Sequence, residues 1–469
     1  MQKNDIITLT VEEISNLGHG VAHLQNADGS RGMAVFVQNG VTGDHLRARV
    51  IKVTKSYLVA RIEEMLIPSP LRAEEQICPA AGCGGCVYRQ VRYDHEKELK
   101  RNYVQNAFRK AGLPHVQVEE VQGTEVLTGY RNKAQYPVRQ GKNGMEAGFF
   151  AASTHRIVPI RDCQLQPPLF GKLTAHICAF CDEYGISAYD EERGEGLLRH
   201  IYLRHGAETG EIMVCLVVNG KRLPHEAELA RTLTEAFPQI VSIVLNVNTQ
   251  STNVVLGKEY RLLWGRDWME DELCGLRFRI SAGAFYQVNH DACQLLYGIA
   301  KERAGLTGGE TVLDLYCGIG TIGLSMADRA GEVIGIEIVE EAVACAAENA
   351  KRNGVENAHF YCGDASDARR LLTTAEAAHG ALDPANTVVI LDPPRKGSTP
   401  ELITYLSDRG FDRVVYVSCN PDTLARDCVV FKDLGYTIGA VTPVDMFPKT
   451  GHVESVVCLT RRLDIDMRR

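Results

Sequence analysis

Hydrophobic and polar positions follow three successive rhythms along this chain. Over residues 1–62, short apolar alternations at 6–14, 20–24, 33–37, 45–53 and 57–62 are punctuated by runs such as Asn26-Ala27-Asp28-Gly29 and Gly40-Val41-Thr42-Gly43-Asp44. That pattern predicts five short strands, enough for a small β-barrel of the oligonucleotide-binding type. The chain leaves it near Ile67-Pro68-Ser69-Pro70. Helical spacing follows over 92–113 and stops at Gly112 and Pro114. From 116 to about 281 strands predominate, with helices near 170–184 and 225–236. From about Asn289, apolar runs at 311–316, 332–338, 358–362, 387–391, 413–417, 437–441 and 455–459 alternate with helix-compatible segments. This predicts an α/β fold, a doubly wound sheet of seven strands. The last two runs leave no room for a helix and predict an antiparallel hairpin at the edge. Three domains are expected: a barrel at 1–64, a central α+β domain at 65–284 and the doubly wound domain at 285–469.

Charge changes the picture more than composition does. The net charge of −8 argues against a polyanionic partner, but its distribution is uneven. Residues 87–161 hold 13 Lys and Arg against 7 Asp and Glu, whereas 162–469 hold 30 against 43. A basic front and an acidic rear fit a protein that holds a polyanion with one part and a cationic ligand with another. No apolar stretch is long enough to span a membrane, and the N-terminus lacks a signal-peptide pattern. The 15 scattered cysteines suggest a reducing, cytoplasmic setting in which some thiols are ligands or catalysts.

Four segments carry candidate chemistry. Cys419 lies in Tyr416-Val417-Ser418-Cys419-Asn420-Pro421-Asp422, where an apolar strand gives way to a helix with Asn420 as N-cap and Pro421 as first residue. The positive end of that helix is expected to lower the thiol pKa and favour a nucleophilic thiolate. Asp314-Leu315-Tyr316-Cys317-Gly318-Ile319-Gly320-Thr321-Ile322-Gly323 is a glycine-rich strand-to-helix loop. Glu337, ending the next strand, is placed to hold ribose hydroxyls. The loop suits a dinucleotide as well as S-adenosylmethionine, with Asp314 favouring the cationic ligand. Asp392 sits in the rigid loop Asp392-Pro393-Pro394-Arg395 at a strand's carboxyl end. Glu454 opens the last strand after Phe447-Pro448-Lys449-Thr450-Gly451-His452-Val453 and is a candidate base, although alone it also reads as a solvated strand end. His452 reads as structural. Cys78-x4-Cys83-x2-Cys86, with Cys163 as fourth ligand, has the spacing of an iron–sulfur site, with zinc as the competing metal. His176, Cys178 and Cys181 read as buried structural residues.

Asp314–Gly320, Asp392–Gly397, Ser418–Pro421 and Phe447–Glu454, together with Phe285-Tyr286-Gln287-Val288-Asn289, occur here in the order found in the RNA (uracil-5-)-methyltransferases, and nearly the whole chain resembles that family. Residues 1–62 resemble a TRAM domain, and the four cysteines resemble the [4Fe–4S] site of the 23S rRNA branch. The resemblance implies that Gln287, Tyr316, Glu337, Asp364 and Asp392 contact S-adenosylmethionine. It implies that Phe285 holds the target base, that Cys419 is the nucleophile and that Glu454 is the base. Thr321 stands where some members carry Asn, and no contact is assigned to it.

The implied reaction is chemically coherent. Carbon 5 of uracil is too weak a nucleophile to attack a methyl sulfonium unless a thiolate first adds to carbon 6. The base must also leave its stack, so an aromatic such as Phe285 is expected nearby. Arg131 and Lys133, in the basic stretch, are expected to contact RNA phosphates. The expectation is therefore a monomeric, cytoplasmic 23S rRNA uracil-5-methyltransferase with a [4Fe–4S] cluster and no membrane association. The alternatives are the same reaction on tRNA, an iron–sulfur RNA-binding assembly factor with an inactive methyltransferase domain, and a dinucleotide oxidoreductase. The last would have no need of the Cys419 and Glu454 segments.

Overall fold

The computed structural model describes residues 1–74, 78, 80, 82–364, 373, 375–377 and 380–461. The first six strands are β1 (Ile6–Thr10), β2 (Glu13–Ile14), β3 (His19–Gln25), β4 (Arg31–Gln38), β5 (His45–Val53) and β6 (Tyr57–Ile67), in the order β1-β5-β6-β4-β3-β2. The segment 6–14, expected as one strand, is two. At the break the Val11 N–H donates to the Asp44 carbonyl (2.9 Å) and the Glu12 N–H to that of Val21 (2.8 Å). The chain thus passes from pairing with β5 to pairing with β3, and this transfer brings the two edges together. Val35, Val37, Leu46, Ala48, Val50 and Leu58 fill the interior. The exit is fixed by buried Asp44, which accepts from Val41 N (2.6 Å), Ser69 N (3.0 Å) and Arg72 Nη2 (2.6 Å).

Helix α1 (Tyr93–Lys110) precedes a second sheet. That sheet holds β7 (Lys133–Gly141), β8 (Gly144–Phe150), β9 (Ile157–Pro159), β10 (Leu198–His205), β11 (Ile212–Val218), β12 (Ile240–Val247) and β13 (Glu259–Gly265), in the order β13-β12-β11-β10-β7-β8-β9. Helices α2 (Pro168–Glu183) and α3 (Glu226–Ala236) cover one face through Phe170, Leu173, Ile177, Leu229 and Leu233. Cys178 and Cys181 are buried in this core, and His176 Nε2 lies 3.2 Å from Thr232 Oγ1. The hairpin β14 (Trp268–Leu273) and β15 (Leu276–Ser281) leads into the third unit.

That unit alternates strictly at first: α4 (His290–Ala304), β16 (Thr311–Leu315), α5 (Thr321–Met326), β17 (Glu332–Glu337), α6 (Glu340–Arg352), β18 (Ala358–Cys362), β19 (Thr387–Leu391), α7 (Pro400–Asp408), β20 (Arg413–Ser418) and α8 (Pro421–Asp433). It ends with β21 (Tyr436–Val444) and β22 (Glu454–Arg461). The seven strands lie in the order β18-β17-β16-β19-β20-β22-β21. The first five are parallel, whereas β22 runs antiparallel between β20 and β21. All five parallel strands therefore deliver their carboxyl ends, where ligands bind in such sheets, to one edge. Helix α1 packs on this unit: Val104, Ala107 and Phe108 share a core with Leu424, Cys428 and Phe431 of α8. Among the described residues no helix is long and apolar enough to cross a membrane.

Candidate active site

Cys419 and Glu454, 35 positions apart in sequence, meet because of the antiparallel last strand. Ser418 pairs with Ser455, so the next residue on each strand, Cys419 and Glu454, stands beside the other at the sheet edge. Asn420 caps α8, its side chain accepting from Asp422 N (3.1 Å), with Pro421 in the first turn. The local geometry read from sequence is present, but its expected electrostatic effect is not. The Cys419 thiol is pushed up to about 11, by burial first and then by the negative charges of Glu454 and Asp392, with Arg395 opposing. Desolvation and two carboxylates outweigh the helix terminus. Glu454 is itself buried and raised to about 8, by burial and by Asp392, again against Arg395. It is therefore not the solvated strand end that its sequence position alone allowed.

Arg395 went unassigned in the sequence because nothing in its segment shows that it faces a thiol. It lines a cleft of about 370 Å³ with Cys419, Asn420, Asp422, Thr450 and His452. His452 is exposed there and also lines a second cleft, so its surroundings are those of the site.

The glycine-rich loop lies at the carboxyl end of β16. Tyr316, Gly318 and Gly320 all have positive φ (71°, 56° and 84°), which folds the loop tightly before α5. A Cβ on Gly320 would come within 3.0 Å of Phe360, whereas one on Gly318 would meet nothing within 4 Å, which leaves that backbone open to a ligand. Glu337 accepts from Gly318 N (3.1 Å) and Val339 N (2.9 Å), which fixes its carboxylate beside the loop. Asp314 Oδ2 accepts from Gly323 N (2.9 Å), and its buried Oδ1 has no hydrogen-bond partner among the described residues. Burial raises Asp314 to about 8, with Asp392 and Glu337 adding to the shift, and raises Asp392 to about 7. This acidic, poorly solvated edge with open loop backbone fits a cationic nucleotide-like ligand and disfavours a pyrophosphate. Thr321 pairs its hydroxyl with Tyr297 Oη (2.8 Å). Asp364 is exposed just beyond β18, within electrostatic range of Tyr316.

The segment before α4 is tied to the central sheet. Asn132 N donates to Val288 O (2.8 Å), and Asn132 Nδ2 to the carbonyl of buried Gln287 (2.9 Å). This places Lys133 Nζ 6.0 Å from the ring of Phe285, which is 61% exposed. Arg131 and Lys133 line the second cleft, of about 720 Å³, together with Cys83, Cys86, Cys163, Arg395 and His452. Arg395 and His452 border both clefts, so the basic residues and three of the cysteines lie next to the cleft of Cys419.

Cys83, Cys86 and Cys163 line this second cleft, and Cys78 lies within electrostatic range of all three. Cys86 is pushed up to about 12 by burial and by the charges of Cys163, Cys83 and Cys78, and Cys163 to about 11 by burial with Cys78 and Cys83 adding. The glycines between them admit close packing, since a Cβ on Gly84 would meet the Ala152 backbone at 2.7 Å. The donor set, four free thiols in mutual electrostatic range, fits a four-thiolate cluster. As the thiols stand, no group of three or more His, Cys, Asp or Glu among the described residues is closed to metal-holding distance.

Comparisons with known proteins bear on the family and the fold. The profile of the tRNA (uracil-5-)-methyltransferase family matches residues 93–462, and that of the TRAM domain residues 2–62. An RNA methyltransferase of Halalkalibacterium halodurans is 41% identical over 98% of both chains. One from Listeria monocytogenes serotype 4b is 39% identical, again over 98% of both. Among solved structures, the tRNA (uracil-54, C5)-methyltransferase of Pyrococcus abyssi, in complex with S-adenosyl-L-homocysteine, matches with a TM-score of 0.74 and 27% identity, over 97% of this chain and 100% of that one.

Proposed function

Because the chain belongs to the S-adenosylmethionine-dependent tRNA (uracil-5-)-methyltransferase family and carries a TRAM domain, we propose that it methylates carbon 5 of a uridine in 23S rRNA through a covalent Cys419–uracil intermediate. The observation that carries this reading is the side-by-side placement of Cys419 and Glu454 at the edge that holds the glycine-rich loop. When bound, S-adenosylmethionine supplies an electrophilic methyl group. Gln287, Tyr316, Glu337, Asp364 and Asp392 are the residues that would hold it. The Cys419 thiolate adds to carbon 6, and the electron pair of the 5,6 double bond moves onto the carbon 4 oxygen. Carbon 5 of that enolate takes the methyl group. Glu454 then removes the carbon 5 proton, the double bond re-forms, and the carbon 6–sulfur bond breaks to return the thiolate. Phe285 offers a ring face to the displaced base and Arg131 a cation to its phosphates, while Lys133, pushed down to about 7 by burial and by Arg204 and Arg131, gains its full charge when a phosphate approaches.

With Arg395 already opposing the shift, the raised Cys419 and Glu454 pKa values call for a further positive charge before both groups are ionised at neutral pH. A sulfonium beside them lowers both. Iodoacetamide labelling of Cys419, followed by peptide mass spectrometry, should therefore show a midpoint near pH 11 for the protein alone, consistent with the raised thiol. Adding S-adenosylmethionine should shift the midpoint to lower pH, and the uncharged S-adenosylhomocysteine should shift it less. Equal midpoints with the two ligands would place the sulfonium away from the thiol.

The choice of rRNA rests on the four-cysteine set joined to the barrel. The same reaction on tRNA is supported by the Pyrococcus abyssi enzyme, whose match spans 97% of this chain, barrel included. Mass-spectrometric mapping of 5-methyluridine in rRNA and tRNA from cells lacking the protein separates them. Loss from 23S rRNA supports the first reading, and loss from tRNA alone replaces it with the second. Cys78, Cys83, Cys86 and Cys163 would hold a [4Fe–4S] cluster. Protein purified without oxygen should then be brown and contain about four iron atoms per chain. A colourless protein with stoichiometric zinc would replace iron by zinc.

A further inference from the structure

The cleft beside Cys419 has a wall from the barrel. Asn16 and Leu17, at the tip of the β2–β3 hairpin, line it together with Val87, Tyr103, Arg395, Cys419, Thr450 and His452. The tip is not a loose surface turn. Gly18 has φ +76°, and a Cβ there would lie 2.5 Å from Val87 Cβ and from its carbonyl oxygen. On the other side, a Cβ on Gly451 would lie 2.5 Å from the Asn16 carbonyl oxygen. The turn closes on itself through Gly18 N to Ser15 O (2.8 Å) and Ser15 N to His19 O (2.9 Å). The Asn16 side chain lies beside Tyr103 of α1, whose hydroxyl donates to Asp422 Oδ2 (2.9 Å), three residues after Cys419. Three parts of the chain that are distant in sequence therefore clamp this tip against the nucleophile's helix.

On that rigid tip Leu17 is 68% exposed. A lone exposed leucine is ordinary on a protein surface. One held immobile on the rim of a nucleophile's cleft, among polar and cationic neighbours, is placed to meet an apolar surface of the substrate. For an RNA whose target base must leave its stack, that surface is the face of a base. We infer that Leu17 is a positioning residue that packs against the nucleotide next to the target uridine, so that the barrel forms part of the substrate pocket as well as adding general affinity for RNA. The inference rests on the methyltransferase reading above.

The test uses the full-length protein and total RNA from cells lacking it. Leu17→Asp should lower kcat/KM for RNA about 10- to 100-fold, through loss of the apolar contact together with a negative charge set against the RNA. Leu17→Met, which restores an apolar surface, should stay within about threefold of wild type. Affinity for S-adenosylmethionine and the thermal midpoint should be unchanged in both. In addition, benzoylphenylalanine at position 17 in the Cys419→Ala protein should photo-crosslink to nucleotides flanking the modified uridine. Wild-type kcat/KM in Leu17→Asp, a parallel fall in S-adenosylmethionine affinity or thermal midpoint, equal losses in Leu17→Met and Leu17→Asp, or crosslinks away from the target would each overturn the inference. A wild-type protein that forms no 5-methyluridine in either RNA would instead overturn the reading beneath it.

Discussion

Cys419→Ala is expected to lose both methylation and covalent capture of RNA, with kcat down by a factor of about 10⁴ or more, because without addition to carbon 6 no nucleophilic carbon 5 forms. Glu454→Gln should fail differently. It retains the thiol and the methyl transfer but cannot take the carbon 5 proton, so turnover should fall by about 10²- to 10⁴-fold while a methylated protein–RNA adduct accumulates. Wild-type protein with 5-fluorouridine RNA should stall at the same stage, since fluorine cannot leave as a proton does. A denaturation-resistant, slow-migrating band carrying labelled methyl groups reads all three cases. Its persistence in Cys419→Ala would assign the nucleophile to another thiol. Full-rate turnover in Glu454→Gln without a band would move the base elsewhere. The burial of Glu454 and its rise to about 8 support the assignment, since a group in that range can both accept and release a proton near neutrality.

The second large effect is expected at Lys100, far from Cys419 in sequence. Its fully buried ammonium donates to Glu96 Oε1 (2.8 Å), Asp445 Oδ1 (2.7 Å) and the Phe447 carbonyl (3.1 Å). Glu96 Oε1 also accepts from Lys449 N (2.6 Å), and Lys449 Nζ donates to Val91 O (3.2 Å). Tyr130 Oη adds a bond to Pro448 O (3.0 Å). This network fastens α1 to the loop 445–453, whose end delivers Glu454. Lys449 holds φ +70° there, a conformation that persists only when its surroundings enforce it. Lys100→Met would leave Asp445 without a counter-charge and Glu96 only partly compensated, by Lys449 Nζ at 3.6 Å from Oε2, which costs ~3–5 kcal/mol. A large drop in denaturation midpoint and loss of activity are expected. Combining it with Glu96→Gln should recover part of the stability, because one poorly compensated charge is then gone. Additive losses in the double variant would show that Lys100 and Glu96 do not act together.

Much of this site was legible in the residues themselves. Asn420 and Pro421 announce a helix start, and the glycines at 318, 320 and 323 announce a loop open to a ligand; both are local signals that the fold leaves intact. What could not be read was anything set by distant partners. The break at Val11 depends on Asp44 and Val21. The fall expected in the Cys419 pKa became a rise because Glu454 and Asp392 arrive from other strands and water is excluded. Arg395 lies within the Asp392–Gly397 segment, but nothing in that segment shows that it faces a thiol, and Lys100 and Leu17 carry no motif. Each acquires its importance from what packs against it, and a periodic pattern carries no trace of that.

The antiparallel entry of β22 has a consequence for synthesis. A ribosome that has made residues 1–420 has made the thiol, the glycine-rich loop, Arg131 and Lys133, yet not the proposed catalytic pair. The partner carboxylate arrives only with the last described strand, which takes its place between two strands synthesised before it. Such long-range pairing is slow to form. A nascent or truncated chain that can already touch RNA therefore has a thiol without the carboxylate that would free it from an adduct. Pairing of the last strand completes that release step.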